Sequence, residues 1–220
     1  MKKFILLVFL FEIGNYYAQF SDDFADGNFD NSPQWFGMTS DFIINSSYQL
    51  QTNSSIASTS YLSLPHNLST INGKEWRFWI KMTFSPSANN NTKVYLTATN
   101  SDLTISPDGF YLQFGETGSL DAVRLMKLEN GITSEICSGA PGEIANSFAI
   151  GVRVLRDISG NWKLFIDPAG GENFVSYSIG NDPSSVVGTS TGIVCKYTVS
   201  NATKFYFDNF YVGDEILDLS

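Results

Sequence analysis

The chain has 220 residues and a formal net charge of −9, which suits one acidic domain behind a short N-terminal leader. Such a charge excludes a basic footprint for nucleic acid or anionic lipid. The sequence contains one histidine and two cysteines, so it has few residues for a zinc site or for a nucleophilic triad with an imidazole base.

Residues 1–19 have the features of a secretory signal peptide. Lys2 and Lys3 precede an apolar run from Phe4 to Phe11, which is too short to span a bilayer. Cleavage is expected near Ala18-Gln19, and the alternative is a retained anchor. The sequence therefore predicts a secreted or outer cell-surface protein with no transmembrane segment after cleavage.

From Gln19 onward the chain has no sustained helical period, and short alternating runs recur between clusters of Gly, Asn, Ser, Pro and Asp. About twelve such runs predict an all-β protein, a two-sheet antiparallel jelly-roll sandwich, over residues 20–213. Residues 214–220 are acidic and unpatterned, as in a linker or tail. We therefore expect one domain, with the tail favouring a piece of a longer protein over a stand-alone copy.

The clearest strand lies around Trp79. Five large apolar residues alternate on one face, and burying each is worth about 2 kcal/mol, so this face is predicted to be core. The five are Trp76, Phe78, Ile80, Met82 and Phe84. Trp79 is then expected on the opposite face, between the cations Arg77 and Lys81.

Two later strands extend this opposite face if neighbours in sequence are also neighbours in the sheet. The combined surface would carry Arg77, Trp79, Lys81, Tyr95, Tyr111 and Gln113. Aromatic planes stack on the C–H faces of sugar rings while flanking polar groups bond hydroxyls, so we predict a glycan site here. The alternative is that the second sheet or a long loop covers this face.

The last strand, Lys204 to Gly213, is rich in aromatic residues around one acidic residue, Asp208. Strict alternation would turn Phe205 and Phe207 to one side and Tyr206 and Phe210 to the other. Packing explains these aromatics but leaves Asp208 unexplained.

Four segments together resemble a known family: Asp22-Asp23-Phe24-Ala25-Asp26-Gly27, Arg156-Asp157-Ile158-Ser159-Gly160-Asn161-Trp162, Cys195-Lys196-Tyr197-Thr198 and Phe205 to Gly213. Their order and spacing are similar to the concanavalin A-like (laminin G-like) jelly-roll N-terminal domain of secreted Bacteroidota surface proteins. The resemblance implies a glycan or cell-surface ligand, and a structural calcium ion between the first and last strands.

The calcium ion would take oxygen ligands from both ends of the domain. The candidates are Asp22, Asp23, Asp26, Asp208 and Asn209. Similar modules have an acidic pair where this chain has Asp208-Asn209. The alternative is that Asp22 to Asp26 form a solvated turn and Asp208 accepts backbone hydrogen bonds.

No arrangement of residues indicates catalysis. The carboxylate pattern of jelly-roll glycosidases is missing, and His66 is expected in a surface loop. Cys137 and Cys195 could be two separately buried thiols or a disulfide. We predict a non-catalytic binding or adhesion module that recognises carbohydrate, with two alternatives: a structural spacer without ligand, or a glycan-active enzyme.

Overall fold

The computed structural model describes residues 18–184 and 186–216, and nearly all regular structure in them is β-strand. The helical turns in these residues are three 3-10 helices of three residues each, Thr39–Asp41, Leu103–Ile105 and Val199–Asn201. Within the same residues no helix is long and apolar enough to cross a membrane. Most of the predicted signal peptide, residues 1–17, and the end of the predicted tail, residues 217–220, lie outside the described residues.

The first sheet has eight strands, all paired antiparallel, in the order β13-β12-β11-β6-β15-β4-β3, with β1 also paired to β15. Its strands are β1 (Ala18–Asp22), β3 (Phe42–Ile44), β4 (Leu50–Thr52), β6 (Lys74–Met82), β11 (Phe148–Arg156), β12 (Asn161–Asp167), β13 (Val175–Asn181) and β15 (Phe205–Asp214).

The second sheet has seven strands, also antiparallel, in the order β10-β9-β8-β7-β14-β5-β2. Its strands are β2 (Phe36–Gly37), β5 (Ser58–Pro65), β7 (Asn91–Ala98), β8 (Gly109–Phe114), β9 (Arg124–Glu129), β10 (Ile132–Ser138) and β14 (Ser190–Tyr197). The prediction of an all-β, two-sheet antiparallel jelly roll is confirmed.

The core lies between the two sheets. The inward residues of β6 are buried there as predicted, and Trp76 stacks on Trp162 with ring centroids 5.8 Å apart. The Trp76 indole donates a hydrogen bond of 2.8 Å to the Leu96 carbonyl in the opposite sheet. A buried indole whose N–H keeps a hydrogen-bond partner avoids the cost of an unsatisfied buried donor, which suits this central position.

A β-bulge in β15 changes which of its aromatics face the core. The β15–β6 register shifts between Asp208 and Tyr211, and Asn209 has φ +53°. The extra residue turns Phe210 inward, where its ring stacks on Phe78 at 5.8 Å. The prediction that Phe210 faces away from Phe205 and Phe207 is therefore wrong, because a bulge breaks the two-residue alternation.

The structure also decides between the two alternatives for the cysteines. Cys137 and Cys195 are both buried free thiols, so the disulfide alternative is wrong. Burial raises the pKa of Cys195 to about 12.

His66 is buried rather than in an exposed loop, and its Nδ1 accepts the Leu68 N–H at 3.4 Å. Burial lowers the pKa of His66, which favours a neutral ring.

Candidate functional site

The six predicted glycan-binding residues do not share one face. Arg77, Trp79 and Lys81 lie on β6 of the first sheet, whereas β7 and β8, with Tyr95, Tyr111 and Gln113, belong to the second sheet. The chain crosses between sheets after β6, which pairs with β11 and β15 instead of β7. The expectation of one combined surface is therefore wrong, because it assumed that consecutive strands pair.

The tyrosines of this set are covered. Tyr95 and Tyr111 are 1 % and 2 % exposed, their rings lie 5.2 Å apart, and they pack in a second small cluster with Leu103 of the 3-10 helix Leu103–Ile105. Lys93 lies over the Tyr111 ring at 4.7 Å. A stacking platform for sugar needs an exposed ring face, so these two tyrosines serve as packing in this structure.

Trp79 is half-buried on the outer face of the first sheet, as predicted. Its backbone is paired with Gly151 on β11 and with Asp208 on β15. Gly151 has no side chain to cover the indole, and a Cβ there would collide with the carbonyl oxygen of Gly171. The Gly171 backbone therefore packs directly on Gly151, and it borders the gap in the sheet surface where Trp79 lies.

A loop between β12 and β13 forms one wall of this gap. The buried Asp167 carboxylate organises it by accepting the Ala169 N–H at 2.8 Å and the Asn173 N–H at 2.9 Å. A Cβ on Gly170 would lie 3.0 Å from Trp79 Nε1, so the loop passes close to the indole. Two hydrogen bonds to one buried carboxylate hold the loop in this position.

We call the resulting space the Trp79 cleft. It is lined by Arg77, Phe78, Trp79, Gly151, Gly170, Gly171, Glu172, Phe174 and Asn209. It adjoins a second, wider cleft of about 350 Å³, with which it shares Glu172 and Asn209. The two clefts therefore adjoin at these two residues, and we call them together the groove.

Arg77 is positioned by a buried carboxylate. Glu75 is fully buried and pairs with Arg77 Nε, with Arg153 Nη2 at 3.0 Å and with the Ile216 N–H at 3.1 Å. The guanidinium of Arg77 also lies over the Phe174 ring, 5.5 Å from its centroid. Arg77 thus connects the floor of the sheet to the loop that carries Glu172.

The wider cleft is lined by the N-terminal acidic loop, and we call its carboxylates Asp22, Asp23, Asp26 and Glu172 the acidic rim. Asp22 accepts the Phe24 N–H at 2.9 Å and the Trp35 Nε1–H at 2.8 Å, both of them buried bonds. Burial raises the pKa of Asp22, and these two bonds oppose the increase. Asp23 and Asp26 are exposed and each accepts one backbone N–H in a local turn.

Asp208 lies beside Trp79 on the same face and close to the acidic rim. Burial, together with the smaller effect of the charges of Asp23 and Asp22, raises the pKa of Asp208 to about 6, and the Asn209 N–H bond of 2.8 Å opposes this increase. The first and last strands pair, with Asp22 opposite Phe210. The structure therefore brings Asp22, Asp23 and Asp208 near one another, as the sequence suggested.

These residues do not fit a preformed calcium site. Both oxygens of Asp22 already accept hydrogen bonds, and Asp23, Asp26 and Asp208 each use one oxygen in the same way. Within residues 18–184 and 186–216 no group of three or more His, Cys, Asp or Glu side chains is arranged to hold a metal ion. Calcium needs six to eight oxygens, so the five predicted ligands would have to rearrange.

Comparison with known proteins gives the fold. No family model and no curated protein sequence matches the chain. Among solved structures, the carbohydrate recognition domain of Emp47p superposes with a TM-score of 0.61 at 14 % identity, over 93 % of this chain and 99 % of that one. The chain has the jelly-roll fold of lectin domains.

Two further structures show the range of this fold. The Ca²⁺- and mannose-bound exoplasmic/lumenal domain of VIP36 has a TM-score of 0.60 at 7 % identity, covering 94 % of both chains. A carbohydrate esterase, vb_24B_21 of the Shiga toxin-encoding bacteriophage phi24B, has a TM-score of 0.56 at 12 % identity, covering 92 % of this chain and 100 % of that one. The concanavalin A-like fold is thereby confirmed, and the narrower resemblance to Bacteroidota surface domains stays a prediction.

Three groove residues were missed as ligand-site candidates by the sequence prediction. Glu172 and Phe174 come from the Asp167 loop, and Gly151 comes from β11, more than seventy positions from Trp79. The same loop contains the adjacent glycines Gly170-Gly171, which in the sequence indicate a turn. The two adjacent glycines indicate a close backbone approach as well as a turn, but the sequence does not say which side chain they approach.

Replacing Asp208 by asparagine is expected to stabilise the protein by about 1 kcal/mol at pH 7, after allowance for solvent screening of a half-buried group. The folded state binds a proton at Asp208 more tightly than the unfolded state does, with a pKa of about 6 against 3.8. The ionised form therefore costs stability, which is lost as the pH rises through this window. Asparagine keeps the bond to the Asn209 N–H and removes the charge.

Urea unfolding at pH 7 and at about pH 3.5 measures this effect, and the difference between variant and wild type should vanish at the lower pH. A variant that is no more stable at pH 7 would contradict it. The same comparison in EDTA and in millimolar Ca²⁺ tests the calcium prediction: an ion that binds after rearrangement of these carboxylates would raise the melting temperature of the wild type more than that of Asp208→Asn. Equal melting temperatures of the wild type in both solutions would overturn calcium binding.

Proposed function

We propose that the chain is a non-catalytic carbohydrate-binding module whose ligand site is the Trp79 cleft. One observation carries this proposal: Trp79 lies half-buried at the floor of a groove on the outer face of the first sheet, beside Gly151 and flanked by polar side chains. Sugar rings stack on such aromatic planes, and Arg77, Glu172 and Asn209 offer donors and acceptors for their hydroxyl groups.

The neighbouring structures support the same proposal. Emp47p is named for its carbohydrate recognition domain, and VIP36 was solved with mannose. At 14 % identity or less these neighbours support the fold alone. The proposal of a carbohydrate ligand therefore depends on the groove of this chain. The basic N-terminal residues and the following apolar run support a secreted or outer cell-surface location, where an adhesion module would meet glycans.

The esterase neighbour favours a second candidate, a glycan-active enzyme. Its support in this chain is the set of carboxylates around the groove, among them Asp208. His66, the single histidine of the sequence, lines neither cleft, so a histidine-dependent nucleophile would have no base there. Release of products from polysaccharides would favour the enzyme over the binding module. A structural spacer would do neither.

Replacing Trp79 by alanine is expected to weaken glycan binding by about ten-fold or more, because truncation of a central aromatic platform removes most of the stacking contact. The measurement is a glycan array followed by titration calorimetry on the best binder. Trp79→Phe retains a smaller ring and should fall between the two proteins.

Tyr48→Ala is the matched control, since Tyr48 is an exposed aromatic that lines neither cleft. It should bind as the wild type does. Equal binding by wild type and Trp79→Ala would exclude the Trp79 cleft as the site, and failure of the wild type to bind any glycan would favour the spacer.

A further inference from the structure

The groove that carries Trp79 is acidic along its wider part. Four carboxylates line that part, and the other lining residues are Ser21, Ser32, Asn209 and Phe210, so it contains no lysine or arginine. The Asp208 carboxylate adds to this charge from the neighbouring strand, where it interacts with Asp22 and Asp23. A ligand that extended from Trp79 into the wider cleft would meet these carboxylates and no cationic side chain there.

The cations nearest to Trp79 are already engaged. Arg77 pairs with the buried Glu75 and lies over Phe174. Lys81, on the other side of Trp79, lies over the Tyr206 ring at 5.3 Å from its centroid. A paired guanidinium attracts an additional anion weakly, because its charge is compensated locally. The field that a ligand experiences in the groove is therefore negative.

We propose that Asp23 and Asp26 are specificity determinants that exclude anionic glycans, so that the groove accepts neutral ones. This inference rests on the proposed function, since it concerns the ligand class of the same groove. A uronate carboxylate held near the acidic rim would be repelled by several like charges and would lose its own hydration, whereas a neutral hexose meets oxygens that accept its hydroxyl groups.

Matched glycan pairs test this inference whichever sugar backbone the groove prefers. Each pair has the same backbone with and without a carboxylate at C6: 1,4-β-mannan and 1,4-β-polymannuronate, and cellooligosaccharide and its C6-oxidised form. Binding is measured for the wild type and for the double variant Asp23→Asn, Asp26→Asn. Asparagine keeps the side-chain oxygen that accepts the Ala25 and Asn28 N–H groups, so the loop retains its hydrogen bonds.

At about 10 mM salt the wild type should bind the neutral member of a pair at least about ten-fold more tightly than the anionic member. The ratio should narrow at about 0.15 M salt, where the Debye length falls from about 30 Å to about 8 Å. In the double variant the ratio of neutral to anionic affinity should be several-fold smaller than in the wild type, even at about 10 mM salt.

Three outcomes are distinguishable. Wild type that binds the anionic members as well as the neutral ones, or a double variant with an unchanged ratio, would overturn the inference and leave the proposed function standing. Wild type that binds neither these pairs nor any other glycan of the array would overturn the proposed function and this inference with it. If the preference for the neutral glycan depends on salt and is smaller in the double variant Asp23→Asn, Asp26→Asn, the proposed function and this inference are both supported.

Discussion

Replacing Glu75 by alanine should destabilise the fold by about 3–5 kcal/mol, because removing one partner of a buried ion pair leaves the other charges uncompensated. The Glu75 side chain is 0 % exposed, and those of its partners Arg77 and Arg153 are 16 % and 12 % exposed. The same carboxylate accepts the Ile216 N–H, and Arg153 donates to the Ile216 carbonyl at 3.2 Å. Urea unfolding of both proteins measures the difference.

The matched control is Glu135→Ala, which breaks an exposed ion pair with Arg124. Exposed pairs contribute about 0–1 kcal/mol, so this variant should remain close to the wild type. Glu75→Gln, which keeps acceptor and donor atoms but not the charge, should lie between them. If Glu75→Ala lost no more stability than Glu135→Ala, the buried cluster would not be a stabilising element.

Replacing Asp22 by alanine should cost about 2–4 kcal/mol of stability. Two buried donors, the Phe24 N–H and the Trp35 indole N–H, would lose their acceptor, at about 1–3 kcal/mol for each unsatisfied group. The effect should extend to the packing beneath, since Trp35 contacts the Phe210 ring with centroids 5.1 Å apart. Loss of the repulsion between Asp22 and its acidic neighbours offsets a small part of the cost.

Asp23→Ala provides the comparison, because Asp23 is exposed and accepts a single local N–H. That change should cost less than about 1 kcal/mol. Thermal unfolding followed by near-ultraviolet circular dichroism would report both stability and the environment of Trp35. Similar stabilities of the Asp22 and Asp23 variants would show that the Asp22 bonds are not structural.

Strand content and the core face of β6 were accessible from the sequence because they depend on local alternation. Trp76, Phe78, Ile80 and Met82 alternate without interruption, and all four are buried. The same alternation misled at Phe210, since one bulged residue reverses every later side chain of the strand. The sequence Asp-Asn-Phe does not by itself indicate a bulge, because a bulge is defined by the pairing of β15 with β6.

Only part of the candidate site could be predicted from the sequence. Trp79 between two cations was correctly placed on the outer face, because its neighbours on β6 determine that face. Tyr95 and Tyr111 were placed beside it by an assumption about strand order, and the structure puts them on the other sheet under Leu103. Strand order depends on which long-range pairings bury the most surface, and a local pattern carries no record of that.

By itself the sequence determined that the chain forms an acidic all-β domain, that the outer face of β6 carries a tryptophan and that both ends of the domain are rich in carboxylates. Each of these follows from composition or from short-range periodicity. Only the tertiary structure decided that Gly151 and the Asp167 loop leave Trp79 accessible in a groove, and that Glu172 and Asp208 make its surroundings acidic. These residues come from four separate strands and loops, and only the packing of the first sheet brings them near one another.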